Sequence, residues 1–67
     1  MEIIINNKKE TVPDRETLQS LLEKLKMYDT TGMAVAVNNQ VINRSQWDKT
    51  SLHPNDDILV IKASQGG

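Results

Sequence analysis

Apolar and polar positions change period several times along these 67 residues. Met1-Glu2-Ile3-Ile4-Ile5 is short and β-branched, which predicts a strand. Asn6-Asn7-Lys8 supplies turn chemistry, because Asn tolerates positive φ and bonds neighbouring backbone. Lys9-Glu10-Thr11-Val12 predicts a returning strand that Pro13-Asp14 ends, so the first segment reads as a hairpin. The period then lengthens. Leu18, Leu21, Leu22 and Leu25 fall at i, i+3, i+4 and i+7, which places four leucines on one helical face. Gln19, Ser20, Glu23 and Lys24 point outward from it, and Thr17 is the expected N-cap. The predicted helix runs from Thr17 to Lys26 and fades through Met27-Tyr28 before Gly32.

Met33-Ala34-Val35-Ala36-Val37 alternates small and larger side chains, as a strand with one face against a helix does. Asn38-Asn39-Gln40 turns the chain, and Val41-Ile42 continues as a short strand. Arg44-Ser45-Gln46-Trp47 reads as a single helical turn with Ser45 as its cap, and Pro54-Asn55-Asp56 as a tight turn with Asn55 in the left-handed region. Ile58-Leu59-Val60-Ile61 is continuously apolar, which predicts a strand buried on both faces and inside the sheet. After Lys62 the pattern gives way to Ala63-Ser64-Gln65-Gly66-Gly67. The expected fold is α+β: a mixed four- to five-stranded sheet with one main helix across one face. With the last strand beside the first, in parallel, this is the β-grasp (ubiquitin-like) arrangement. Residues 1–63 form the domain, and 64–67 a flexible C-terminal diglycine tail.

Composition narrows the function. A chain this short buries only about 60% of its unfolded surface, so one aliphatic core must suffice. There is no cysteine, which excludes a disulfide staple and a thiolate metal cage. Trp47 and Tyr28 are the only aromatic residues, too few for a base-stacking platform. A net charge of −1 without a basic stripe argues against nucleic acid. No apolar run approaches the ~20 residues of a membrane span, and Ile3-Ile4-Ile5 is too short for a signal peptide. The expectation is a cytoplasmic protein, monomeric when free. His53 has no Asp, Cys or Ser placed to make it catalytic and reads as a surface residue. Asp56-Asp57 reads as a solvated turn rather than a metal pair, and no metal site is expected. Nucleophile, acid/base pair and phosphate loop are all missing from the sequence, so the chain is expected not to be an enzyme.

The chemistry is expected at Gly66-Gly67. Two glycines after a strand add nothing to a core and cost backbone entropy. Their use is narrowness: a chain without Cβ atoms threads a tight channel and presents its carboxylate in another protein's active site, with Ser64-Gln65 giving reach. A terminal Gly-Gly can also be a cloning scar, a truncation point or a frayed end. A strand order of the β-grasp type before it, and a start at Met1, favour the functional reading. A carboxylate is a poor electrophile until adenylated with ATP. A sulfur or nitrogen nucleophile can then attack; if it is a persulfide sulfur, the product is a thiocarboxylate on Gly67, a nucleophile that delivers sulfur while partners supply the catalytic sites.

Met33-Ala34-Val35-Ala36-Val37-Asn38, Val41-Ile42-Asn43-Arg44-Ser45-Gln46-Trp47, Asp57-Ile58-Leu59-Val60-Ile61 and the final Gly66-Gly67 together resemble the ThiS family, the sulfur carriers of thiamine thiazole biosynthesis. The resemblance covers nearly the whole chain, and Arg44 with Trp47 is more discriminating than the diglycine. It implies adenylation of Gly67 by an E1-like, ThiF-type enzyme, sulfur from a cysteine desulfurase, and docking on a thiazole synthase of the ThiG type. No cofactor is expected on the chain itself; ATP belongs to the adenylating partner. Asn43 stands where members often have Pro, and Asn55 where they often have Gly, both compatible with turns. Ser64-Gln65 is more polar than the family's usual residues there, and Gln65 and Gly66 are expected to thread a partner's active site. Ile4, on the open sheet face, is expected to form with neighbours from the last strand an exposed apolar patch for the activating enzyme; Arg44 and Trp47 are further candidates, Trp47 reading first as core.

Three other readings use the same features. A small subunit of molybdopterin synthase shares the carrier chemistry, but the short chain and the Arg44/Trp47 element weigh against it. A ubiquitin-like modifier would end on a target lysine. A TGS-type binding module would never use its carboxylate and would survive loss of Gly66-Gly67.

Overall fold

The computed structural model describes residues 1–27 and 32–62. Two Asn-Asn pairs fix the hairpins. Asn6 and Asn7 have φ of 46° and 69°, and Asn38 and Asn39 have 52° and 70°. Positive φ at both central positions matches the twist of the flanking strands, as two-residue hairpin turns require. The first pair joins β1 (Glu2–Ile5) to β2 (Lys8–Thr11); the second joins β3 (Met33–Val37) to β4 (Gln40–Ile42). The last strand, β5 (Asp57–Lys62), pairs in parallel with β1 and antiparallel with β3. The sheet order is β2-β1-β5-β3-β4, the β-grasp arrangement expected from the sequence.

The helix α1 spans Leu18–Lys24, and the Thr17 hydroxyl caps it by accepting from the Ser20 amide at 3.1 Å. It ends sooner than the leucine spacing predicts. Lys26 adopts φ 59°, its amide donates to Glu23 O, and the Met27 amide donates to Leu22 O at 2.8 Å. Those paired bonds form a Schellman stop with Lys in the usual glycine position. Leu25, still αR at the C-cap, is exposed, and Met27 packs against the core. Tyr28 lies outside the described residues.

Leu18, Leu21 and Leu22 meet Ile3, Ile5, Val35, Ile58 and Val60 on one face of the sheet. Val12, Leu52 and Trp47 complete the core. Trp47 is 2% exposed, and its Nε1 donates to Ile42 O at 3.0 Å. It sits on a 3-10 helix over Arg44–Lys49, longer than the single turn expected. Ser45 is not its cap: the N-cap position is Asn43, whose side chain makes no capping bond.

Two sequence expectations about β5 need correction. The strand is interior, but only Ile58 and Val60 are buried, while Leu59 and Ile61 are exposed. The helix covers one face only, so the apolar run serves a core on one side and an open surface on the other. Asp56 is not a solvated turn residue; it is 7% exposed and accepts from the Asn38 carboxamide at 3.0 Å and the His53 amide at 2.8 Å. His53 itself is exposed, and Asn55 takes the left-handed φ of 69° expected of it.

Candidate functional site: the open sheet face and the root of the tail

Strand alternation sends Ile3 and Ile5 inward and Ile4 outward, and in β5 sends Leu59 and Ile61 outward. The register then gathers a surface. Ala36 lies opposite Leu59 on one side and Val41 on the other, and Ala34 lies opposite Ile61. Ile4 pairs with Asp57 and shares that face, half-buried as a central residue. Val41, Ile61 and Leu59 are 70%, 54% and 45% exposed. The alanines keep the centre low, so the larger side chains flank a flat apolar floor. Lys9, opposite Ile4, and Asp57 give the surface a charged margin. Sequence reasoning anticipated Ile4 here with neighbours from the last strand; it did not name Leu59 and Ile61, which its reading of that strand as buried on both faces put inside, and it did not place Val41. The signal was available, since a single helix cannot cover both faces of five strands.

Arg44 lies over the Trp47 ring, 5.4 Å from its centroid, which fits a cation–π contact. Trp47 is core, as its first reading had it, and offers a partner little surface. Gln65, Gly66 and Gly67 lie outside the described residues. Their root does not: β5 ends at Lys62, paired with Met33. Because β5 runs parallel to β1, that end lies at the same end of the sheet as Ile5 and Asn6.

A groove of about 480 Å³ beside Met1, Asp14, Arg15 and Leu52 lies at the other end of the sheet. Glu16 is the buried acidic residue that sequence reasoning missed altogether. Its carboxylate accepts from Lys24 Nζ at 2.7 Å. That bond, a second from Ser20 and the Lys24 charge hold its pKa below the usual glutamate value, with burial opposing. It braces the start of α1 rather than contributing to the open face. Among the described residues no three His, Asp or Glu side chains gather as metal ligands would, and no helix is long and apolar enough to cross a membrane.

Known proteins are similar to this chain over its whole length. The chain is 31% identical over 67 residues to the sulfur carrier protein ThiS of Escherichia coli (strain K12), covering all of both chains. The crystal structure of the thiamine biosynthesis protein ThiS from Geobacter metallireducens superposes with a TM-score of 0.85 at 26% identity, again over all of both chains. A solution structure of a thiamine biosynthesis protein from the same organism gives 0.77 at 28% identity, covering all of this chain and 88% of that one. With the family model matching residues 1–67, the chain belongs to the ThiS family.

Proposed function

We propose that this chain is a sulfur carrier of thiamine biosynthesis, with the Gly67 carboxylate as its working group. The observation that carries the reading is the full-length family match to a β-grasp domain whose interior strand leads into Ala63-Ser64-Gln65-Gly66-Gly67. An E1-like, ThiF-type enzyme adenylates Gly67 with ATP, releasing pyrophosphate. A persulfide sulfur, drawn from a cysteine desulfurase, attacks the activated carbonyl and expels AMP. Thiol cleavage of the remaining S–S bond leaves a thiocarboxylate, which delivers its sulfur on a ThiG-type thiazole synthase. The chain is a co-substrate in each step rather than a catalyst, and ATP is bound by the partner. It works as a cytoplasmic monomer between encounters.

The open face supports the docking half of this reading. Ile4, Leu59, Ile61 and Val41 form an apolar surface for the adenylating enzyme, and the tail begins at the end of the strand that carries Leu59 and Ile61. Such a layout lets one interface hold the domain while the diglycine enters the active site. Deleting Gly66 and Gly67 tests the proposal. The truncated chain should keep its circular dichroism and support no ATP-dependent pyrophosphate release by a ThiF-type enzyme. Undiminished release with the truncated chain would overturn it.

A further inference from the structure

Between β1 and β5 the parallel ladder runs through Ile4 N–H to Asp56 O at 2.8 Å and Asn6 N–H to Ile58 O at 2.9 Å. Had β1 continued, the next links would be the Val60 amide donating to the Asn6 carbonyl and the residue 8 amide donating to the Val60 carbonyl. The chain instead turns at Asn6, at φ 46°. Its side chain takes over both links. Asn6 Oδ1 accepts from the Val60 amide at 2.8 Å, and Asn6 Nδ2 donates to the Val60 carbonyl at 3.4 Å. The carboxamide stands where a peptide group of the strand would stand.

The position of this contact matters. Beyond Ile58, β5 has no strand partner on the β1 side. On its other side Ile61 and Lys62 pair with Ala34 and Met33, the first residues of β3. Asn6 is thus the last described tie on the β1 side before the tail. Few residue types suit it. The position needs positive φ, one acceptor and one donor on a short side chain, and Asn meets all three.

We propose that Asn6 is a positioning residue for the carrier reaction: its carboxamide holds β5 at Val60 and so fixes the end of the strand, at Lys62, from which the chain continues to Gly67. This rests on the carrier reading given above. A root ordered in advance spares the adenylating enzyme the cost of ordering it on binding, so the benefit falls on KM rather than on kcat.

Two variants test this. N6G keeps the positive φ without strain and removes both links. N6D keeps the acceptor but sets a carboxylate oxygen against the Val60 carbonyl until acid protonates it. In N6G the Val60 amide should lose protection from hydrogen exchange by roughly tenfold, in line with one or two net hydrogen bonds, and the core amides of α1, which open with the whole domain, should lose no more than that. KM for the chain with a ThiF-type enzyme should rise by a similar factor with kcat unchanged. In N6D the protection factor of Val60 should recover as pH falls through the carboxyl titration. Unchanged Val60 protection in both variants would overturn the clamp. Lost protection with unchanged KM would overturn the positioning role. A wild-type chain that an active ThiF-type enzyme fails to adenylate would overturn the carrier reading instead, and the exchange data would still decide the clamp.

Discussion

The Asn38 carboxamide donates to the Asp56 carboxylate at 3.0 Å and takes the Asp57 amide on its Oδ1 at the same distance. The Asn38 amide also donates to the Asp57 carbonyl at 2.7 Å. An asparagine in a left-handed hairpin turn thereby fixes where β5 begins, just as Asn6 ties its far half. Asp56 completes the arrangement by accepting the His53 amide at 2.8 Å. Asp56→Ala takes the buried acceptor away from the Asn38 carboxamide and the His53 amide, and a hydrogen bond to a charged group contributes about 1.5–3 kcal/mol. Urea unfolding should show a lower midpoint with an unchanged slope. A midpoint equal to wild type would mean that solvent replaces the carboxylate without loss.

The Glu16–Lys24 ion pair makes a stabilising contact of α1 sensitive to acid. The carboxyl pKa of Glu16 is lowered in the folded chain, chiefly by the Lys24 hydrogen bond. The folded state therefore holds this proton less tightly than the unfolded state. The stabilisation is fully present above the unfolded pKa and is lost as pH falls through the lower, folded one. Glu16→Gln should flatten the decline of stability below about pH 4 and leave its shape at neutral pH unchanged. Because the Lys24 side chain is 54% exposed, raised salt should shrink this difference as well. Thermal unfolding followed across pH in low and high salt reads both effects.

Trp47 is the chain's single tryptophan, so its own fluorescence reports on it. Buried at 2% exposure, it should emit at short wavelength in the native state and shift red on unfolding. Trp47→Phe deletes the donor to the Ile42 carbonyl and should cost about 1–3 kcal/mol. Trp47→Ala adds a large cavity and should cost about 3–5 kcal/mol. A domain of this size has roughly 3–10 kcal/mol in total, so the alanine variant should lose a large share of it and melt well below wild type. A folded, undiminished alanine variant would contradict the placement of the indole in the core.

On the open face the expectation reverses. Leu59→Lys and Val41→Lys replace exposed side chains, and their stability should stay within about 0.5 kcal/mol of wild type. Their KM with a ThiF-type enzyme should nevertheless rise, and Ile4→Lys should raise it too, with some loss of stability because Ile4 is half-buried. Unchanged adenylation by all three variants would remove this face from the docking account.

How far the sequence carried the structure differs from element to element. The helix and the first hairpin were legible, because periodicity reports which side chains share a face; the parallel pairing of the last strand with the first entered only as the condition for a β-grasp order, which the sheet meets. The end of α1 was not. Leucine spacing continues to Leu25, but the stop is made by backbone bonds from Lys26 and Met27 that leave no mark in side-chain pattern. The exposure of Leu59 and Ile61 was missed because an apolar run cannot say whether its second face meets a helix or a partner. Asp56 and Glu16 look like ordinary surface acids until the fold brings Asn38 and Lys24 to them. At the site itself, the outward place of Ile4 could be read directly from strand alternation, while Gly66 and Gly67 lie outside the described residues. Asn6 read only as a turn residue, since its bond to Val60 spans 54 positions.

The central claim is that Gly67 carries sulfur. The most direct measurement is the intact mass of the chain after incubation with a ThiF-type enzyme, ATP and a persulfide-generating cysteine desulfurase. The account predicts a gain equal to replacing one oxygen by sulfur, dependent on ATP and absent when Gly67 is removed. An unchanged mass, with an enzyme shown to be active on another carrier of this family, would contradict it.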